Sequence, residues 1–169
     1  SMLVATKNNG FGNGLHLQIP RIKVPIPLFI IFRALGVITD RDICQKIVLD
    51  VDADKNKQMI IALRGSVVEG NKHLTQEEAL KYVTSNAMYT PLNMDKETGA
   101  RKKREFTVDV LNNDLFPHCQ TAVQKIHFLG YMANCLLRCS FGLEATDDRD
   151  SYVNKRIDLT GTLLNNLFR

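Results

Sequence analysis

No tryptophan occurs in this chain of 169 residues, no cysteine pair has CxxC spacing, and no apolar run is unbroken for long. The longest run, Val24 to Leu35, is interrupted by Pro25, Pro27 and Arg33, short of the roughly 20 residues that span a bilayer. A secretory-signal pattern is likewise missing. Cys44, Cys119, Cys135 and Cys139 stand inside apolar or helical patterns, which reads as reduced thiols of an intracellular protein and not as a disulfide framework. What is present is 44% apolar and 24% charged residues, enough for one core in a chain of single-domain length and too apolar for disorder. The net charge of +4 permits a nucleic-acid partner without requiring one.

The pattern along the chain predicts an α+β fold, predominantly helical, with an N-terminal β-hairpin packed on a helical core. Residues 2–7 and 15–22 alternate in part between apolar and polar, and NNGFGNG between them is rich in residues that tolerate positive φ, which reads as a hairpin. From Pro27 the pattern turns helical. PLFIIFRALG reads as a helix buried on most sides with Gly36 as its C-cap, and Arg33 within it as one half of a structural ion pair. A second helix follows Thr39 and Asp40 through Ile43, Cys44, Ile47 and Val48; a third covers about 57–68; Thr75 with Glu78 forms a capping box for a fourth. Between Ala87 and Arg104 periodicity disappears, and KETGARKKRE reads as an exposed, mobile basic loop. A helix is expected from Phe106 to Pro117, then the longest one from about Cys119 to Phe141, carrying the polar stripe Gln120, Gln124, His127, Tyr131, Asn134 and Arg138 and serving as spine of the core. The last helical pattern, 155–169, has Ile157, Thr160, Leu164 and Phe168 on one face and no stop signal, as a piece of a longer protein would.

Chemistry-bearing constellations are scarce. Gly10, Gly12 and Gly14 lack GxGxxG spacing, and no GxSxG serine occurs. Asp50, Asp52 and Asp54 have the alternation a hard cation can use, but Lys55 replaces the glycine and Ile61 the glutamate of a calcium loop, which favours an acidic inter-helix loop. His127, Cys135 and Cys139 share a helix, yet at about 100° per residue Cys139 points about 120° away from His127, so the three do not converge on one ion. His16, His118 and Cys119 have no second ligand at telling spacing. No catalytic residue and no metal ligand is therefore assigned.

The stretch DDRDSYVNKRIDLTGTLLNNLFR, Asp147 to Arg169, resembles the DDxDHxxNKRxDxxGxLLxxLF segment of the second-largest, β-type subunit of multisubunit DNA-directed RNA polymerases. FRALGVI (Phe32 to Ile38), preceded by an IPR segment, and FLGYM (Phe128 to Met132) are similar to the same family in the same order. The hairpin, the helices and the basic loop follow the outline of its lobe domain. The resemblance implies a lobe over 1–146 and, over 147–169, the start of a return segment to the neighbouring protrusion domain. It also departs from the family: Ser151 stands where cellular members usually have His, and Val153 where Gly is common. The divergent SYV and the asparagine-rich composition resemble the polymerase subunits of large DNA viruses more than those of animals or fungi.

The resemblance further implies a non-catalytic part of a nucleotidyltransferase, forming part of the downstream DNA cleft wall and a docking surface for initiation factors. Its partners would be the largest polymerase subunit, other polymerase subunits and downstream DNA, with no membrane. No cofactor is expected in this part, the catalytic magnesium being bound by the largest subunit. The DxDxD spacing also occurs in that subunit's magnesium loop, but its NADFDGD flanks are missing here. Localisation would be intracellular: a viral factory or virion for a virus, the nucleus for a cell. Nucleic-acid-proximal candidates are Arg101, Lys102, Lys103 and Arg104 in the basic loop. Asp150, Lys155 and Arg156 join them because matching residues of bacterial relatives lie close to nontemplate DNA. The structural alternative for the tail is that Asp147, Asp148 and Asp150 pair with Arg149, Lys155 or Arg156 to fix an interdomain turn. The functional alternative is a free-standing helical DNA-binding protein using basic residues 101–104, which should cap its last helix.

Overall fold

In a computed structural model, residues 1–90 and 95–169 are described. Strands β1 (Met2–Asn8) and β2 (Asn13–Leu17) form the expected antiparallel hairpin, with Met2 opposite Leu17 and Val4 opposite Leu15. A short third strand, β3 (Ile26–Pro27), pairs with β2 through Leu17 and Ile26. The hairpin tip is organised by its asparagines: the Asn8 side chain accepts from the amides of Gly10 (2.8 Å) and Gly12 (3.1 Å), and the Asn9 side chain donates to Gly65 O (2.9 Å). Gly10 and Gly12 have φ of 93° and 127°, where an L side chain would be strained.

Helix α1 (Leu28–Ala34) is buried along its whole length and packs against β2, β3 and three other helices. It is the spine of the core, a place the sequence pattern assigns to the longest helix. Its end is a Schellman motif: Gly36 at φ 110° donates to Arg33 O (3.0 Å), and Val37 donates to Phe32 O (2.9 Å), which satisfies carbonyls left over at the helix end. Arg33 is 1% exposed. It donates to the carbonyls of Ile38 (3.1 Å), Gly70 and His73 (2.8 Å) and pairs with Asp40. A buried guanidinium requires such a complete set of acceptors.

Helix α2 (Asp40–Val48) starts on the Thr39 side chain, which accepts from Asp42 N (3.2 Å). Helix α3 (Lys57–Gly70) presents Gly65 to the hairpin tip so closely that an added Cβ would lie 2.7 Å from Gly12 O. Its Ser66 hydroxyl accepts from Leu15 N at 2.9 Å inside the core. Helix α4 (Gln76–Ser85) carries the complete Thr75–Glu78 capping box, in which two otherwise unpaired amides are satisfied reciprocally.

Helix α5 (Lys96–Asp109) corrects the expected loop. The stretch KETGARKKRE is helical, and the helix begins at Lys96 instead of Phe106; residues 91–94 of the aperiodic stretch lie outside the described residues. Lys, Arg and Glu are good helix formers, and polar tethers replace a broad apolar stripe. Lys103 donates to Ser85 O (3.2 Å), Arg104 pairs with Glu77 (2.7 Å), and Phe106 stacks on Tyr89 at 5.2 Å. A π-helical turn (Val110–Asp114) ends the segment.

Helix α6 (Ala122–Ser140) packs mainly on α2. At their crossing an added Cβ on Gly130 would sit 2.3 Å from Lys46 O, so only glycine permits this approach. After α6 the helical pattern gives way to a short turn (Tyr152–Asn154) and α7 (Thr160–Leu167), shorter than the expected 155–169.

Candidate nucleic-acid interface

The four basic candidates on α5 do not form one free patch. Lys103 and Arg104 are engaged with α4 as described above, and Arg101 lies 3.8 Å from Glu105 one turn on. Lys102 is exposed and has no hydrogen bond or ion pair among the described residues. Helical spacing splits the run over several faces, and the two cations with the best tertiary contacts hold helices together.

The tail candidates belong to a separate, self-organised turn. Asp148 shapes it: its carboxylate accepts from Asp150 N (2.9 Å), and its carbonyl accepts from the Asn154 side chain (2.8 Å) and from Ser151 N (3.4 Å). Lys155 lies 3.5 Å from Asp150, whose side chain is 88% exposed, so the pair is weak in water. Arg156 is exposed. No hydrogen bond or ion pair among the described residues joins the α5 group to the tail group.

The other constellations resolve into structural roles. Asp50 accepts from Asp52 N (3.1 Å), Asp52 faces Arg41 (3.7 Å) and Asp54 faces Lys57 (2.5 Å), so the three carboxylates diverge to different partners. Asn56, almost fully buried, staples this loop by donating to Asp50 O (2.7 Å). His118 packs edge-on against Phe128 at 4.5 Å, and His16 lies 2.7 Å from Glu69. Burial, with Asp40 nearby, pushes the Cys44 thiol up to about 11, leaving it inert as a nucleophile near neutral pH. A hydrogen bond with Cys135 raises the Tyr131 phenol above its ordinary value. On the α6 stripe, Gln124 completes a capping box with Thr121, Asn134 caps α2 by donating to Ile47 O (2.9 Å), and Arg138 pairs with Glu144 (2.9 Å).

Sequence reasoning missed Lys125. The residue is 3% exposed, and its ammonium donates to the carbonyls of Leu111 (2.8 Å), Asn112 and Leu115 (2.7 Å) around the π-helical turn. Desolvation lowers its pKa from the ordinary lysine value. It falls off the polar stripe of this helix, at a position the helical pattern treats as one of the apolar face. Its one sequence-level signal is a lysine next to the buried positions Ile126 and Leu129.

Comparison with known proteins decides the family. The family model described as RNA polymerase Rpb2, domain 2, matches residues 3–158. The chain belongs to that family. The relatives include DNA-directed RNA polymerase II subunit 2 of Arabidopsis thaliana, 34% identical, covering 98% of this chain and 14% of the relative. DNA-directed RNA polymerase subunit 2 of Acanthamoeba polyphaga mimivirus is 33% identical, covering 93% and 14%. The subunit Rpo2 of Saccharolobus solfataricus is 27% identical, covering 91% and 13%. The chain thus spans about one seventh of the length of the curated relatives it matches. Plant and viral identities are nearly equal, so identity does not separate a viral from a cellular source; the viral assignment rests on Ser151, Tyr152, Val153 and the asparagine content alone.

Proposed function

We propose that this chain is the lobe of the second-largest subunit of a DNA-directed RNA polymerase, a non-catalytic part of a nucleotidyltransferase that forms one wall of the downstream DNA cleft and offers a docking surface to initiation factors. The family match over 3–158 carries this reading. The largest and other polymerase subunits would be its partners, and the magnesium of the reaction would belong to the largest subunit. The site would be intracellular: a viral factory or virion, or a nucleus. The division into a lobe (1–146) and a return segment (147–169) is part of the proposal; burial itself changes earlier, the hydrophobic core ending at Leu137 and every residue from 141 on except Ser151 being exposed.

Two tests apply. The parent open reading frame should be several times longer than 169 codons, and the tagged parent subunit should copurify with the largest subunit as a particle that makes RNA on a DNA template. A short frame, or a particle without that activity, would overturn the proposal. For DNA contact, Lys103 and Arg104 are tethered to α4 and Arg101 has only a long, exposed contact with Glu105, so Lys102 and Arg101 are the residues of α5 proposed to reach phosphate, for a salt slope of about −1.8 from two charges against about −3.6 from four. Arg101→Ala with Lys102→Ala should abolish that share of low-salt duplex binding; unchanged binding would remove α5 from the DNA path. The free-standing DNA-binding alternative loses support from the same geometry, because half of its basic run already has partners on α4.

A further inference from the structure

The crossing of α4 and α5 leaves a groove of about 500 Å³. It is lined by the half-buried Leu80 and Thr84 and the exposed Ala100, with Lys81 on α4 and Arg101 on α5 beside them. The one acid on the rim, Glu77, is neutralised by Arg104. Lys103 is held by Ser85 O. The cations available to a ligand therefore stand on opposite helices, Lys81 on α4 and Arg101 on α5, the latter in only a long, exposed contact with Glu105 (3.8 Å) that is weak in water. We propose that this groove docks a short acidic peptide of a protein partner, an apolar side chain seated on Leu80 and Ala100 with flanking carboxylates at Lys81 and Arg101.

Charge complementarity selects this occupant. A nucleic-acid backbone needs several donors converging on phosphate, and here the donors of Lys103 and Arg104 already serve Ser85 and Glu77. An apolar anchor between acidic residues uses both lining and rim, the arrangement in which buried contact supplies affinity and rim charges supply orientation and speed of encounter. The inference deepens the docking-surface part of the proposed function and rests on it.

The test uses the full 169-residue chain and a fluorescent 12-residue peptide with Leu at i and i+4 flanked by aspartates, against the same peptide with both Leu replaced by Ser, and against a duplex DNA of equal charge. The Leu peptide should bind, shift the NMR signals of Leu80, Thr84 and Ala100, and weaken at least about tenfold with Lys81→Glu plus Arg101→Glu. Ala100→Glu, at an exposed helical position that should fold normally, should weaken binding similarly by filling the groove with a like charge. Equal binding of the Ser peptide, binding insensitive to these variants, no binding at all, or duplex DNA as the sole ligand of the groove would each overturn the proposal. Any of these leaves membership of a polymerase untouched, because copurification of the parent subunit reads that separately.

Discussion

The body up to α6 and the tail after it treat similar residues in opposite ways. Leu17, Ile22, Phe29, Ile43 and Leu129 are at most 1% exposed, whereas Ile157, Leu159, Leu167 and Phe168 are at least 70% exposed. Yet the tail carries the most recognisable sequence of the chain. Residues that identify a family and residues that stabilise a chain are therefore separable sets: burial supplies roughly 25 cal/mol per Å² of apolar surface wherever a partner surface exists, and among the described residues the tail buries little.

Arg33→Met should give the largest effect on the body, because it orphans three carbonyls and leaves Asp40 without its guanidinium. A loss of about 3–5 kcal/mol is expected in urea unfolding. A loss under about 1 kcal/mol would mean that the buried cation is no keystone. Lys125→Met comes next, at about 2–4 kcal/mol, since it strips the donor from three carbonyls at the π-helical turn. Its hydrogen exchange should rise first around Leu111 to Leu115; global loosening without that local signature would contradict the assignment.

The tail should behave otherwise. Leu163→Ser with Leu167→Ser should change the stability of this chain by less than about 0.5 kcal/mol, as surface substitutions do. In the assembled parent subunit the same pair should lower the yield of soluble particle. A marked drop in the melting temperature of the 169-residue chain would break the contrast between body and tail, showing that α7 packs on the body in solution.

The smallest expected effect is a pH dependence. Backbone amides of Thr75 and Leu74 donate to the Glu78 carboxylate and hold it below the ordinary 4.5. A carboxylate depressed in the folded state contributes stability above its unfolded pKa and loses it as pH falls through the folded value. Stability should therefore decline slightly more below pH 4.5 in the natural chain than in Glu78→Gln, which keeps an acceptor but does not titrate. Identical acid profiles would place the sensitivity elsewhere.

Local rules made much of the body legible in advance. The capping box at Thr75 and Glu78, the Thr39 cap, the Gly36 stop, the hairpin tip and the pairing of Arg33 each depend on residues close in sequence or on a chemistry with one low-energy solution, and the structure shows all of them. The candidate site was legible only as a list of charges. Whether KETGARKKRE is helix or loop, and which of its cations are free, depends on Ser85, Glu77 and Tyr89, which approach it only after α4 and α5 cross.

By itself, then, the sequence determined the α+β class, the stop of α1, the starts of α2 and α4 and the family, because short-range hydrogen bonds, apolar periodicity and motif spacing are written along the chain. The tertiary structure alone decided that α1 and not α6 is the spine, that Lys125 is buried under three carbonyls, and that Arg101 to Arg104 divide between tethers and free charges. Long-range packing chooses among positions that local pattern leaves equivalent, since a lysine beside an apolar stripe has the same neighbours in sequence whether its ammonium meets water or a ring of backbone oxygens.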